Sequence, residues 1–143
     1  MVSRLKKFTS PQFIFIDVEI FNIVVAVGLN VTEDAFLAEM IEAYDMSEAD
    51  TKRLIHNLEG WNNGYGNGSK GRMINYGEYY FVLINAGDGG LVDFINSVSH
   101  EMTHVTQFLL NRNRDTPLKK STEELYAYLQ AYLLCAVLKK VMK

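Results

Sequence analysis

His100-Glu101-Met102-Thr103-His104 sets two imidazoles and a carboxylate within five residues, in the spacing H-E-x-x-H. On a helix, four residues advance about 6 Å and turn through about 400°, so both imidazoles leave the same face and aim at a common point. Two imidazole nitrogens placed this way are the beginning of a zinc site. Glu101 follows His100 by about 100°. It is near enough to take a proton from a water at the metal, without being a ligand itself. The chain has only three histidines. A match of this kind then arises by chance in roughly 0.4% of chains of the same composition, so the spacing is read as chemistry.

The pattern works only if the helix that carries it keeps the histidine face out of the core. With His100 at the origin of a helical wheel, Leu91, Phe94, Val98, Met102, Val105 and Leu109 gather at about 120–200°. His104 falls near about 40°, beside Ser97 and Asn111. The histidines are therefore expected to face a cleft or solvent.

Catalytic zinc takes a third protein ligand and keeps one position open. His56 lies far upstream and no histidine follows His104, which leaves Asp115, Glu123 and Glu124 as downstream candidates. On the wheel of the last helix Glu124 shares an apolar face with Ala127, Tyr128, Ala131, Cys135 and Leu138, whereas Glu123 falls with Gln130 on a more polar edge. A carboxylate on an apolar face needs a cationic partner, which zinc would supply, so Glu124 is the expected third ligand. The plainer alternative is that both glutamates only favour a helix N-terminus.

The run Ser99 to Val105, followed by Glu124-Leu125-Tyr126-Ala127-Tyr128-Leu129, resembles the small gluzincins, in particular the H-E-x-x-H zinc peptidases of phages and prophages. The close resemblance covers Tyr79 to Leu134. It implies a minimal zincin-like domain with zinc at His100, His104 and Glu124 and with Glu101 as base. It also implies a cleft edged by the strand that precedes the first zinc helix, here Tyr79 to Asn85. The second signature of that family, Asn-Glu-x-x-Asp, is only partly present, because Thr122 and Glu123 precede Glu124 and Ala127 stands in place of the aspartate.

The elements that must position these groups can be read around them. Phe13 to Gly28 reads as extended chain, two short strands with a break near Glu19–Asn22. Thr32 caps a helix over Ala35 to Ala43, and Ser47 caps a second from Glu48 to Leu58. Gly60 to Gly77 is rich in glycine and reads as a long surface loop or a twisted hairpin. Tyr79 to Asn85 is the clearest strand. Helices follow over Leu91 to Asn111 and Thr122 to Val141. The order predicts one α+β domain over residues 1–143, with a small sheet packed on the H-E-x-x-H helix and on the C-terminal helix.

Composition narrows the function classes. The 143 residues are 48% hydrophobic and 22% charged, with a net charge of −3 and a single cysteine. No basic stripe points to nucleic acid, and no apolar run is long enough to span a membrane. Lys6 and Lys7 precede an apolar stretch, but Asp17, Glu19 and Asn22 break it as a secretory signal. Lone Cys135 fits a reducing compartment, so the cytoplasm is expected, that of a bacterial host if the phage resemblance holds.

The expected activity is hydrolysis of peptide bonds by a zinc-activated water with Glu101 as general base, the substrate lying extended along the Tyr79–Asn85 strand. The alternative is a catalytically silent zinc-binding interaction or assembly protein. A regulator that cleaves a repressor is a third class, but no helix-turn-helix segment accompanies the motif. Tyr128, Tyr79 and Phe81 are weaker candidates for substrate binding or oxyanion stabilisation, with core filling the plainer role for Tyr128. Tyr65, Tyr76 and Arg72 could contribute an electrophile or a lid over the cleft, a surface loop being the plainer reading of the stretch. His56 reads as a surface residue and Cys135 as a small packing group.

Overall fold

The computed structural model describes residues 8–61, 70–87 and 90–143. Strand β1 (Gln12–Val18) passes through a single 3-10 turn, Glu19–Phe21, into β2 (Ile23–Leu29). Asn22 makes the reversal in the left-handed region, with φ 54°. Helices α1 (Glu33–Tyr44) and α2 (Glu48–Leu58) follow, each opened by a side-chain cap. Thr32 accepts from the Ala35 amide and Ser47 from the Asp50 amide, both at 3.1 Å. Strands β3 (Lys70–Tyr76) and β4 (Tyr79–Asn85) form a hairpin, and α3 (Gly90–Gln107) runs on into a π-helical turn, Phe108–Asn113. Helix α4 (Glu123–Val141) ends the described chain. No helix among the described residues is long and apolar enough to cross a membrane.

The sheet is mixed, in the order β1-β2-β4-β3. β2 and β4 pair in parallel, with Val25 opposite Tyr80 and Leu29 opposite Ile84; the two outer pairings are antiparallel. The α+β expectation therefore holds, but the strand expected at the exposed edge is not there. β4 is flanked on both sides, and the edge beside it is β3. The near-continuous apolar run Tyr79–Asn85 is what an inner strand covered on both faces needs. The glycine-rich stretch is in part strand: its second part is β3, while positions 62–69, with Tyr65, lie outside the described residues.

Side chains alternate along β4 between two cores. Tyr80, Val82 and Ile84 meet Phe94, Val98, Met102 and Val105 of α3 and the buried residues of α4. Phe81 and Leu83 meet Phe36 and Met40 of α1 and Leu54 and Leu58 of α2 on the other face. The wheel of α4 needs correcting. Its buried stripe is Tyr126, Leu129, Leu133, Val137 and Val141. Glu124, Ala127, Tyr128, Ala131 and Cys135 are exposed, so Cys135 is not a packing group.

Buried Asn30 ties the sheet to what precedes and follows it. Its Nδ2 donates to Phe8 O at 2.6 Å and to Ser10 O at 3.2 Å, and its Oδ1 accepts from the Ala86 amide at 2.9 Å. That last bond sets the exit of β4 toward α3. Asn30→Ala strands these groups in a dry site and is expected to cost about 2–4 kcal/mol. Urea unfolding of the two proteins measures it.

Candidate metal centre

The face of α3 that meets the sheet is the one its sequence prescribes: Phe94, Val98, Met102, Val105 and Leu109 are fully buried. Leu91 alone departs from the stripe, at 43% exposed. This rotation leaves the histidines on the outer side of the helix. Their Nε2 atoms lie 3.2 Å apart, and the rings meet edge to face with centroids 4.8 Å apart. Two nitrogens at zinc–nitrogen distances of about 2.0–2.1 Å on a tetrahedral ion sit about 3.3 Å from each other. The pair therefore has the separation that two ligands of such an ion require.

Glu101 lies between the histidines and the interior, with its carboxylate beside His100. It is 5% exposed, and its Oε2 is 3.9 Å from His100 Nε2. The cover is β3. A Cβ built on Gly71 would meet Glu101 Oε2, and would lie 2.5 Å from its Cδ and 2.6 Å from its Cγ. Only a residue without a side chain lets the edge strand close over the carboxylate. Burial pushes the Glu101 carboxyl above the ordinary range, and His100 and His104 pull it back in part. A carboxylate whose affinity for protons is raised toward neutrality is a better general base.

Helix α4 braces α3 beside the histidines. Gln130 Nε2 donates to Thr103 Oγ1 at 2.7 Å, and Thr103 Oγ1 donates to Ser99 O at 2.9 Å, so the residues preceding both histidines are held. Glu123 shares the Gln130 face of α4, being seven residues away, whereas Glu124 is about 100° round from it. Both are exposed. Among the described residues no group of three His, Cys, Asp or Glu side chains converges to hold a metal ion. The donors present fit zinc as a pair, and Glu124 does not complete the set as placed.

The weaker candidates fall elsewhere. Tyr79 and Phe81 point from β4 to the α1–α2 face, opposite the histidine helix; Phe81 is fully buried, and Tyr79 donates to Asp50 Oδ2 at 3.0 Å. Tyr128 is 68% exposed and lines a shallow apolar pocket with Ile20, Phe21 and Tyr132, so it neither fills the core nor joins the histidines. Arg72 donates to Asn57 O and Glu59 O and lies over Trp61, a brace rather than a lid. Tyr76 donates to Asp50 O at 2.9 Å, and burial pushes its hydroxyl to about 12. His56 is on the surface, 3.7 Å from Glu59. Exposed Asp115 sits in the left-handed region at φ 50°. Sequence reasoning missed Gly71, whose only signal was a glycine inside an otherwise strand-like run, Lys70 to Tyr76. Comparison with family models, characterised proteins and solved structures gives no match.

Two predictions follow from the buried carboxylate. Gly71→Ala should destabilise the protein by about 1–3 kcal/mol through overpacking. In a Glu101→Ala background the same change should be neutral or mildly stabilising, as glycine-to-alanine changes in strands are. Equal effects in both backgrounds, read in a double-mutant cycle of unfolding free energies, would show that the two residues do not press on each other.

The second concerns pH. The folded carboxyl holds its proton more tightly than the unfolded chain does. Glu101 therefore favours the fold below the ordinary value of 4.5 and costs stability as pH rises through the folded value. Glu101→Gln is expected to raise the melting temperature of metal-free protein at about pH 7, with the advantage vanishing toward about pH 4. A difference that is flat with pH would contradict the raised carboxyl.

Proposed function

We propose that this chain is a zinc-dependent peptidase with a zincin-like arrangement, in which His100 and His104 hold the metal and Glu101 is the general base. The observation that carries the reading is the 3.2 Å approach of the two Nε2 atoms next to a buried carboxylate. When bound, zinc would supply Lewis acidity, polarising a peptide carbonyl and making a water more acidic. Glu101 then accepts the proton of the attacking water and returns it to the departing amine. No covalent intermediate with the protein is required.

The third ligand is proposed to be Glu124, on the first turn of α4. As placed it lies about 100° round α4 from the Gln130 face that meets the histidine helix, so ligation would require its side chain and the first turn of α4 to reorient. Its carboxylate is exposed and in no ion pair among the described residues, so no salt bridge opposes that turn. The substrate would lie along β3, the edge strand that covers Glu101, instead of along β4. A peptide is suited to that position because an edge strand offers it main-chain hydrogen bonds.

A catalytically silent zinc-binding protein is favoured by one feature: only two side chains converge as placed. Glu101 separates the two readings. Glu101→Gln should keep its zinc and lose about 10²–10⁴-fold in cleavage of a peptide library at matched metal content. The double variant His100→Ala, His104→Ala should lose the metal. Zinc uptake unchanged in the double variant would remove the site. A wild type that binds zinc and cleaves nothing would leave the binding protein.

A further inference from the structure

A second place in the molecule has the makings of a binding site. At the end of the sheet away from Gly71, a groove of about 1010 Å³ opens where β2 and β4 begin. One wall is the π-helical end of α3 with Arg112, Asn113 and Arg114; the other is built from Tyr44, Tyr79 and Asp50. Along β3, the five residues from Gly71 to Tyr76 set this end about 17 Å from the cover of Glu101. The groove is therefore not part of the histidine site.

Its two guanidinium groups have no carboxylate partner among the described residues. Each is nevertheless fixed. Arg112 lies 4.4 Å over the Phe108 ring, and Arg114 lies 5.5 Å over the Phe21 ring while donating to Phe21 O at 2.7 Å. Asn113 between them donates to Asn75 Oδ1 at 3.1 Å and to the Tyr80 hydroxyl. A stacked guanidinium keeps its forked donors and loses little further freedom when it takes an anion. Arg112 belongs to a π-helical turn, Phe108–Asn113, and Arg114 caps it; such turns are rare within helices and concentrated at functional sites.

The opposite wall decides which anion. Asp50 and Glu78 also line the groove, so its two positive charges are matched by two negative ones. A polyphosphate would meet both carboxylates and be repelled. A ligand with one carboxylate at one end and amide or ammonium donors at the other meets a complementary charge at each end. The rings of Tyr44 and Tyr79, with Ile23 and Val24, add apolar surface between the two ends. We propose that this groove binds the C-terminal end of a short peptide, with the terminal carboxylate on Arg112 and Arg114 and the preceding residues lying toward Asp50 and Glu78. The proposal is independent of the zinc site and stands whether or not the chain cleaves peptides.

The test is calorimetric titration of the full chain with tetrapeptides that carry an aromatic residue next to the end, prepared with a free carboxylate and as C-terminal amides. The free acids should bind, and amidation should weaken them about tenfold or more, since a hydrogen-bonded charge is lost. Arg112→Lys with Arg114→Lys keeps the charge and removes the fork, and should weaken the acids while leaving the amides as they were. His100→Ala with His104→Ala should leave the binding unchanged, which separates this site from the metal centre. Equal affinity for acid and amide, or no binding of either, would overturn the proposal. So would arginine-dependent binding of inorganic phosphate with none of the peptides.

Discussion

A carboxylate held out of water, with no lysine or arginine paired to it among the described residues, is the demanding feature of this fold. Glu101 is buried with two imidazoles as its charge-capable neighbours, and the surrounding parts answer to that fact. The sheet ends on a strand that has a glycine where the carboxylate lies. The apolar stripe of α3 turns Glu101 inward and the histidines outward in one rotation. Gln130 of α4 fastens that rotation from the side away from β3. Loss of any of these would change how the carboxylate is covered or how it faces the imidazoles.

The two ends of the sheet are differently equipped. Near Gly71 the groups are a buried carboxylate and two imidazoles, and they come from one helix. Near Gly77 they are fixed cations, tyrosines and carboxylates, gathered from the β1–β2 connection, α1, α2 and the end of α3. The parallel pairing of β2 with β4 makes this division possible. It sends α3 back along the full length of the sheet, so one helix serves both ends.

Much of this was legible in the residues. The five-residue motif, the stripe of α3, the caps Thr32 and Ser47 and the break between β1 and β2 were all readable, because each rests on local spacing or on one side chain's reach. The buried face of α4 was not. Leu125, Tyr126, Tyr128, Leu129, Tyr132 and Leu133 surround the helix with apolar groups, so a wheel cannot choose among its faces. The placement of Tyr79 and Phe81 also escaped the sequence, since in a strand apolar on both sides the register alone decides which residues look toward which helix. β3 was legible only as the hairpin alternative to a loop, because Lys70, Gly71, Arg72 and Asn75 belong to an edge, where polarity is tolerated and the apolar signal fades.

The way the histidine motif is distributed over the chain has a consequence for how it comes into being. The two imidazoles are brought together by one turn of helix, an event of about a microsecond or less. The seat of Glu101 needs β3 against β4 and β4 against β2, and the parallel partners Val25 and Tyr80 are separated by more than fifty positions of chain. Closing so long a loop is slower. In a refolding chain the two imidazoles can thus meet before the carboxylate between them is covered. If the pair holds an ion as proposed, an ion captured at that stage would meet a centre whose base is still open to water.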